Sequence, residues 1–128
     1  MLRSRALSSD DLYVYRAAVR SVYDGDTLRA DIDLGFGHFW KGEQGKGVKI
    51  RLWGIDTPEV RGPDRPIGLE VRTAVREVLP VGSLFYLQTV KDKTGTFGRY
   101  LGEVWPIGWD ESVNEWLLRT KQAKEYGL

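Results

Sequence analysis

Short segments in which apolar and polar residues alternate constrain the fold of this chain more than any other feature. Leu28, Ala30 and Ile32 alternate with Arg29 and Asp31, which is the period of a half-buried strand. Similar β-rich segments recur along the chain and are separated by turns that contain glycine. Together they predict five strands, at residues 12–23, 28–36, 48–55, 84–90 and 100–107.

Two other segments carry helical signals. Apolar residues at helical spacing predict an amphipathic helix over residues 67–79, and a Ser-x-x-Glu capping box predicts a second over residues 113–124. Three strands, a helix, two strands and a helix is the order of the OB-fold, a five-stranded Greek-key barrel. We therefore expect a mainly β fold with two helices (α+β), although a small open α+β sheet could use the same order.

The length and composition exclude several classes of protein. The 128 residues suffice for one core, and we expect a disordered arm at residues 1–10 and a single domain at residues 11–128. The chain has no Cys and one His, which excludes zinc sites built from Cys and His and cysteine nucleophiles. Lys+Arg 19 and Asp+Glu 18 nearly balance, so any contact with nucleic acid must come from local charge placement.

The sequence also bears on location. No apolar run approaches the ~20 residues of a membrane span, and the N-terminus has no apolar signal-peptide core. We expect a monomer in the cytoplasm that has no membrane partner. A secreted protein whose N-terminus had been trimmed would give the same pattern.

Two acidic motifs are candidates for a metal-binding and catalytic site. Asp-Gly-Asp-Thr at residues 24–27 is a common turn signal, yet Asp24 and Asp26 share one face of an extended segment, where carboxylates repel unless a cation lies between them. In Asp-Thr-Pro-Glu at residues 56–59, the proline keeps Thr57 extended, which can direct its carbonyl towards a metal. Glu59 would then lie just beyond the metal ligands, where it could take a proton from water. The alternative for this second motif is a plain strand end or helix start.

Two arginines accompany these motifs. Arg51 lies in an apolar strand segment, where a guanidinium needs an anionic partner, and Arg99 follows a glycine at a strand start. Each taken alone is also typical of an exposed surface arginine. Oxygen ligands, a free carboxylate and two cations together are what a calcium-dependent phosphodiesterase requires.

Five separated segments carry a family resemblance. They are Val-Tyr-Asp-Gly-Asp-Thr at 22–27, Arg-Leu-Trp-Gly-Ile-Asp-Thr-Pro-Glu at 51–59, Gly-Leu-Glu at 68–70, Phe-Gly-Arg at 97–99 and Val-Asn-Glu-Trp-Leu-Leu at 113–118. In this order and spacing the chain resembles the staphylococcal-nuclease-like (thermonuclease) domain family over roughly residues 14–126. The resemblance implies an OB-fold hydrolase, a calcium-dependent endonuclease that cleaves DNA and RNA at the 5′ phosphorus–oxygen bond.

The resemblance also implies a metal site. Asp26, Asp56 and the Thr57 carbonyl occupy the positions of the family's calcium ligands. Asp24 would lie close to them as a further carboxylate that does not itself bind the metal. The expected cofactor is therefore Ca²⁺, and the expected partner is a DNA or RNA substrate.

The remaining implied roles concern the reaction and the fold. Glu59 corresponds to the residue that orients or deprotonates the attacking water, and Arg51 and Arg99 correspond to the cations that hold the phosphate. Arg99 could also support the leaving oxygen. Asn114 corresponds to a buried structural residue of the family and not to a catalyst.

Departures from the family pattern leave several points open. Trp40 lies with Phe36 and Phe39 in the long connection at residues 35–47, where the aromatic residues either extend the hairpin and pack on the barrel or offer bases a stacking surface. Further candidates for substrate binding are Arg61, Lys93 and Tyr126. The alternative to an enzyme is a catalytically weak OB-fold module that binds nucleic acid or protein.

Overall fold

Eight strands and two helices make up the computed structural model, which describes residue 8 and residues 12–94 and 100–127, with the backbone alone at 91–94. The predicted arm at residues 1–10 thus lies almost wholly outside the described residues. The strands are β1 Val14–Asp24, β2 Thr27–Gly35, β3 His38–Trp40, β4 Val48–Leu52, β5 Ile55–Asp56, β6 Leu84–Thr94, β7 Tyr100–Pro106 and β8 Lys124–Glu125. The helices are α1 Arg65–Val78, which follows a short 3-10 turn at Gly62–Asp64, and α2 Val113–Arg119.

Five of these strands close into a mixed barrel. The pairing order is β1-β6-β7-β4-β2, and a further pairing of β1 with β2 closes it. The β4–β7 pair is parallel and the other barrel pairs are antiparallel. The prediction of a mainly β fold with two helices, consistent with an OB-fold, is therefore confirmed.

The alternation of the sequence explains which side chains fill the barrel. On β2 the apolar Leu28, Ala30 and Ile32 are buried, whereas the charged residues between them face outward. Strand β1 pairs with β6 through its first half and with β2 along most of its length. A register shift between Val19 and Ser21 is a bulge that bends β1 enough to serve both neighbours.

Both helices pack on the barrel through apolar faces. Helix α1 buries Val71 and Val75, and α2 buries Val113 and Leu117. The Ser112 hydroxyl accepts a hydrogen bond from the Glu115 N–H at 3.1 Å, as the capping box predicts.

Helix α2 ends at Arg119, short of the predicted residue 124. The N–H groups of Gln122 and Ala123 turn back to the Leu117 carbonyl, and Lys121 has a left-handed φ of 61°. The chain then forms β8, which pairs with β5. This small sheet places the C-terminal segment beside the second acidic motif.

The long connection contains a strand beyond the five predicted, which agrees with the alternative in which this segment extends the hairpin. Residues 38–40 pair with the distal part of β2 and extend the β2 hairpin. At its tip Phe36 has a φ of 55° and a fully exposed side chain, and Phe39 is also exposed. Trp40 packs edge-on against Tyr100, with ring centroids 5.4 Å apart. The segment therefore extends the hairpin, and among the described residues Trp40 is the one of its three aromatic residues that contacts another aromatic ring.

None of the helices within the described ranges combines the length and the apolar character that crossing a membrane requires.

Candidate active site

An open cleft of about 1090 Å³ brings the two acidic motifs together. Its lining includes Asp24 and Asp26 from the β1–β2 hairpin, Arg51 from β4, and Asp56 and Glu59 from the second motif. These residues are distant in the sequence, and the barrel closure places them on one surface.

The first motif is tied to the second through a buried carboxylate. Asp26 is 5% exposed, and its Oδ2 accepts the Thr57 N–H at 3.1 Å. Its Oδ1 accepts the Thr27 hydroxyl at 3.1 Å, and its own N–H donates to Asp24 Oδ1 at 3.1 Å. Asp26 Oδ1 keeps a free lone-pair direction after these contacts, whereas Oδ2 also faces the guanidinium of Arg51.

Two glycines allow this approach. A Cβ at Gly25 would lie 2.6 Å from Val71 Cγ1 and 2.8 Å from Thr57 Oγ1. A Cβ at Gly68 would lie 2.1 Å from the Glu59 carbonyl oxygen. The Asp-Gly-Asp turn and the start of α1 therefore both press against the second motif, which holds its backbone in place.

Arg51 is the cation between the carboxylates. Thr27 and Arg51 are paired in the β2–β4 register, so the arginine leaves β4 next to the first motif. Its Nη2 lies 3.2 Å from Asp56 Oδ1 and 3.6 Å from Asp26 Oδ2, and its Nη1 donates to the Ile55 carbonyl at 3.1 Å. The guanidinium is thus almost buried and held by a fork of fixed acceptors.

Tyr126 lies against the same guanidinium. Arg51 Cζ is 5.1 Å from the centre of the Tyr126 ring, a cation–π distance. The Tyr126 N–H donates to the Gly54 carbonyl at 2.9 Å, directly after β8. The β5–β8 pairing therefore brings this tyrosine to the cleft, of which it forms part of the lining.

Asp24 has an unusual ionisation. Burial raises the pKa of its carboxyl to about 7, and the negative charge of Asp26 adds to the shift. The ionised form of Asp24 is therefore unfavourable, and a cation near both carboxylates would reduce the repulsion between them.

Glu59 and Thr57 retain unused polar atoms. Glu59 is exposed to the cleft and makes no hydrogen bond or ion pair with any described residue. The Thr57 hydroxyl is buried, and it too has no partner among the described residues. A carboxylate free of partners can accept a proton from water, which a paired one cannot do as readily.

The donor atoms of the site are all oxygens. Every ligand candidate is an oxygen, and Asp26 and Asp56 converge on the same Nη2 of Arg51. The described part of the chain contains no group of three or more His, Cys, Asp and Glu side chains arranged around a metal position. A site of two carboxylates and the Thr57 carbonyl, completed by water, suits a hard cation that takes oxygen ligands in flexible geometry.

The other predicted residues differ in their placement. Tyr126 lines the cleft, whereas Arg61 is exposed and outside the cleft lining, and Trp40 packs against Tyr100 of β7 and is also outside the lining. Arg99 and the side chain of Lys93 lie outside the described residues. Their roles, like the binding roles of Trp40 and Arg61, stay predictions.

Four cations of the cleft were not identified from the sequence. They are Arg72 and Arg76 of α1, Arg29 of β2 and Lys49 of β4. Arg76 donates twice to the Val22 carbonyl, at 2.9 and 3.2 Å, and Arg72 Nε is buried without a partner among the described residues. The signal for the helical pair was available, because residues four apart lie on one helix face.

No protein-family model matches the chain, and no curated protein matches it. The functional argument therefore depends on the residues of the cleft and on the chemistry that their arrangement allows. That arrangement consists of a largely buried arginine between two carboxylates, a further carboxylate without a partner among the described residues, and additional cations on the same surface.

Proposed function

We propose that this protein is a calcium-dependent phosphodiesterase, an endonuclease that hydrolyses DNA and RNA at the 5′ phosphorus–oxygen bond. The observation that carries the proposal is the position of Arg51 between Asp26 and Asp56 in the same cleft as the unpartnered Glu59. The five segments that resemble the staphylococcal-nuclease-like family include all four of these residues and agree with the proposal.

Three oxygen ligands would bind the metal. Asp26, Asp56 and the Thr57 carbonyl would hold Ca²⁺, which when bound supplies Lewis acidity towards a phosphate oxygen. The hydrogen bond from the Thr57 N–H to Asp26 keeps the two motifs at a fixed separation. Their geometry is therefore set by the fold before a substrate arrives.

Arg51 is suited to hold the phosphate that reacts. A guanidinium has five N–H donors, and Ile55 and Asp56 occupy one each. The remaining donors can bind phosphate oxygens. The positive charge of the guanidinium stabilises the transition state more than the ground state, because negative charge develops on the phosphate oxygens there. Arg99 is the second cation that the sequence predicts for this role.

Glu59 is the proposed base. It is exposed to the cleft without a partner in the described structure, so a water molecule can occupy its hydrogen-bonding positions. The close contact of Gly68 with the Glu59 carbonyl fixes the backbone that carries it. A general base of this kind contributes about 100- to 10,000-fold to a rate.

A cleavage assay with paired variants tests the proposal. Single-stranded DNA and RNA are incubated with the protein in calcium or in a chelator, and we expect cleavage only in calcium. Glu59→Gln should bind calcium normally, measured by calorimetry, yet cleave about 100-fold more slowly or worse. Asp26→Asn should lose calcium affinity as well, whereas Glu77→Gln, an exposed residue of α1 outside the cleft, should match the parent.

Two results would contradict the proposal. Undiminished cleavage in chelator would show that the reaction does not depend on calcium. Parental cleavage by Glu59→Gln would show that Glu59 is not the general base. Absence of any cleavage together with retained binding of nucleic acid would favour the alternative, a binding module. The cytoplasmic location and the monomeric state remain predictions from the sequence.

A further inference from the structure

Two further cations, Arg29 and Lys49, lie beside Arg51 on the outer face of the barrel. Arg29 on β2 and Lys49 on β4 are directly opposite in the antiparallel register, two residues beyond the Thr27–Arg51 pair. Residues two apart on a strand point the same way, so all three cations face outward. All three also line the cleft that contains the carboxylates.

Elsewhere on this face, cations of β1 have carboxylate partners on β2. Arg16 Nη2 lies 2.9 Å from Asp33 Oδ2, and Arg20 Nη1 lies 2.9 Å from Asp31 Oδ1. The outer surface of the β1–β2 pair is therefore balanced by cross-strand ion pairs.

The Arg29–Lys49 pair departs from this arrangement. Arg29 donates to the Gly47 carbonyl at 3.1 Å, and no carboxylate of the described ranges pairs with it. The Lys49 side chain makes no hydrogen bond or ion pair within those ranges. Like charges directly opposite each other destabilise a sheet, so this position is unfavourable unless an anion binds there.

We propose that Arg29 and Lys49 bind the phosphate that neighbours the one held at Arg51 in a single-stranded nucleic acid. Lys49 and Arg51 are separated by two strand residues, a rise of about 6.6 Å, which is comparable with the step between successive phosphates in an extended strand. This inference rests on the proposed function. It makes a chain of consecutive phosphodiesters, and not a single nucleotide, the ligand that the cleft fits best.

Binding in the absence of cleavage tests the pair. The affinity for a fluorescent oligothymidylate of about twelve nucleotides is measured by anisotropy in chelator, across a series of salt concentrations. The Arg29→Gln/Lys49→Gln variant should bind about tenfold more weakly at low salt, and its logarithmic salt slope should fall by about 0.7, because one phosphate of the single strand is no longer neutralised. Inorganic phosphate at an equal phosphate concentration should compete poorly with the oligonucleotide.

The matched control is Arg16→Gln/Arg20→Gln, which removes the same charge from the same face but outside the cleft. It should keep the parental affinity and slope. Thermal unfolding verifies the fold, and the Arg29/Lys49 variant should be as stable as the parent or more stable, because it loses a repulsion. If the double variant is unfolded, Arg29→Gln and Lys49→Gln are tested singly, and each should show about half the change in salt slope.

Three outcomes would overturn the inference: equal losses in the two double variants, parental binding by the Arg29/Lys49 variant, or no binding by the parent. A loss specific to that variant would support it even if the parent failed to cleave in calcium. The binding measurement is therefore separate from the test of the proposed nuclease.

Discussion

Replacement of Asp24 by Asn should make the protein more stable at neutral pH. Burial and the charge of Asp26 raise the pKa of Asp24 from 3.8 to about 7. Between these pH values the folded state binds more protons than the unfolded state, so the free energy of unfolding falls as pH rises. The contribution of Asp24 is complete below about pH 4 and is lost as pH passes through about 7.

The structure sets the size of this effect. A shift of one pKa unit corresponds to about 1.36 kcal/mol, so the shift of about three units gives a ceiling of about 4 kcal/mol. Asp24 borders an open cleft, where solvent screens part of this cost, and we expect about 2 kcal/mol. Asn keeps the oxygen that accepts the Asp26 N–H at 3.1 Å, so the substitution preserves the turn.

Urea denaturation in chelator at pH 4 and pH 8 measures the difference. The advantage of Asp24→Asn over the parent should grow from small at pH 4, near the unfolded pKa, to about 2 kcal/mol at pH 8. Glu43→Gln, an exposed acidic residue without a partner in the described structure, should show no such growth. An advantage for Asp24→Asn that is equal at both pH values would refute the reasoning, because it would not come from ionisation.

Two further variants separate catalysis from stability. Arg51→Lys should lower the cleavage rate by on the order of a hundredfold or more in a steady-state assay, because a point charge cannot reproduce the fork that faces Asp26, Asp56 and the phosphate; near-parental turnover would exclude the proposed clamp. Asn114→Ala should lower the free energy of unfolding by about 3 kcal/mol, because its side chain bonds the Val104 N–H and two backbone carbonyls and buried groups would be left unpaired. Thermal unfolding checks it, and a loss no larger than that of a Glu77→Ala control, at an exposed position of α1, would contradict the role.

The barrel strands could be predicted because their signal is local. Alternation marks β2, where every second residue is buried. Strands β3 and β8 have only exposed residues and span three and two residues, so no alternation exists to reveal them. Their formation depends on β2 and β5, which are partners that only the folded chain supplies.

The candidate site shows the same limit. The residue types of both motifs suggested metal and phosphate chemistry, but the Thr57 N–H bonds Asp26 across 31 residues of sequence. Gly25 resembled an ordinary turn glycine, and its requirement comes from the approach of Val71 and Thr57. Contacts of this kind depend on barrel closure and helix docking, which a local pattern does not encode.

The near-neutral charge of the chain conceals a separation of charge within the cleft. Its carboxylates are those of the two acidic motifs, and two of them converge on Arg51. The other cations of the lining have no carboxylate partner among the described residues, and these are Arg29, Lys49, Arg72 and Arg76. A polyanion gains from such unpaired cations, whereas the carboxylates beside Arg51 oppose it until a cation neutralises them. Specific contact with nucleic acid therefore needs no basic net charge, only this local placement.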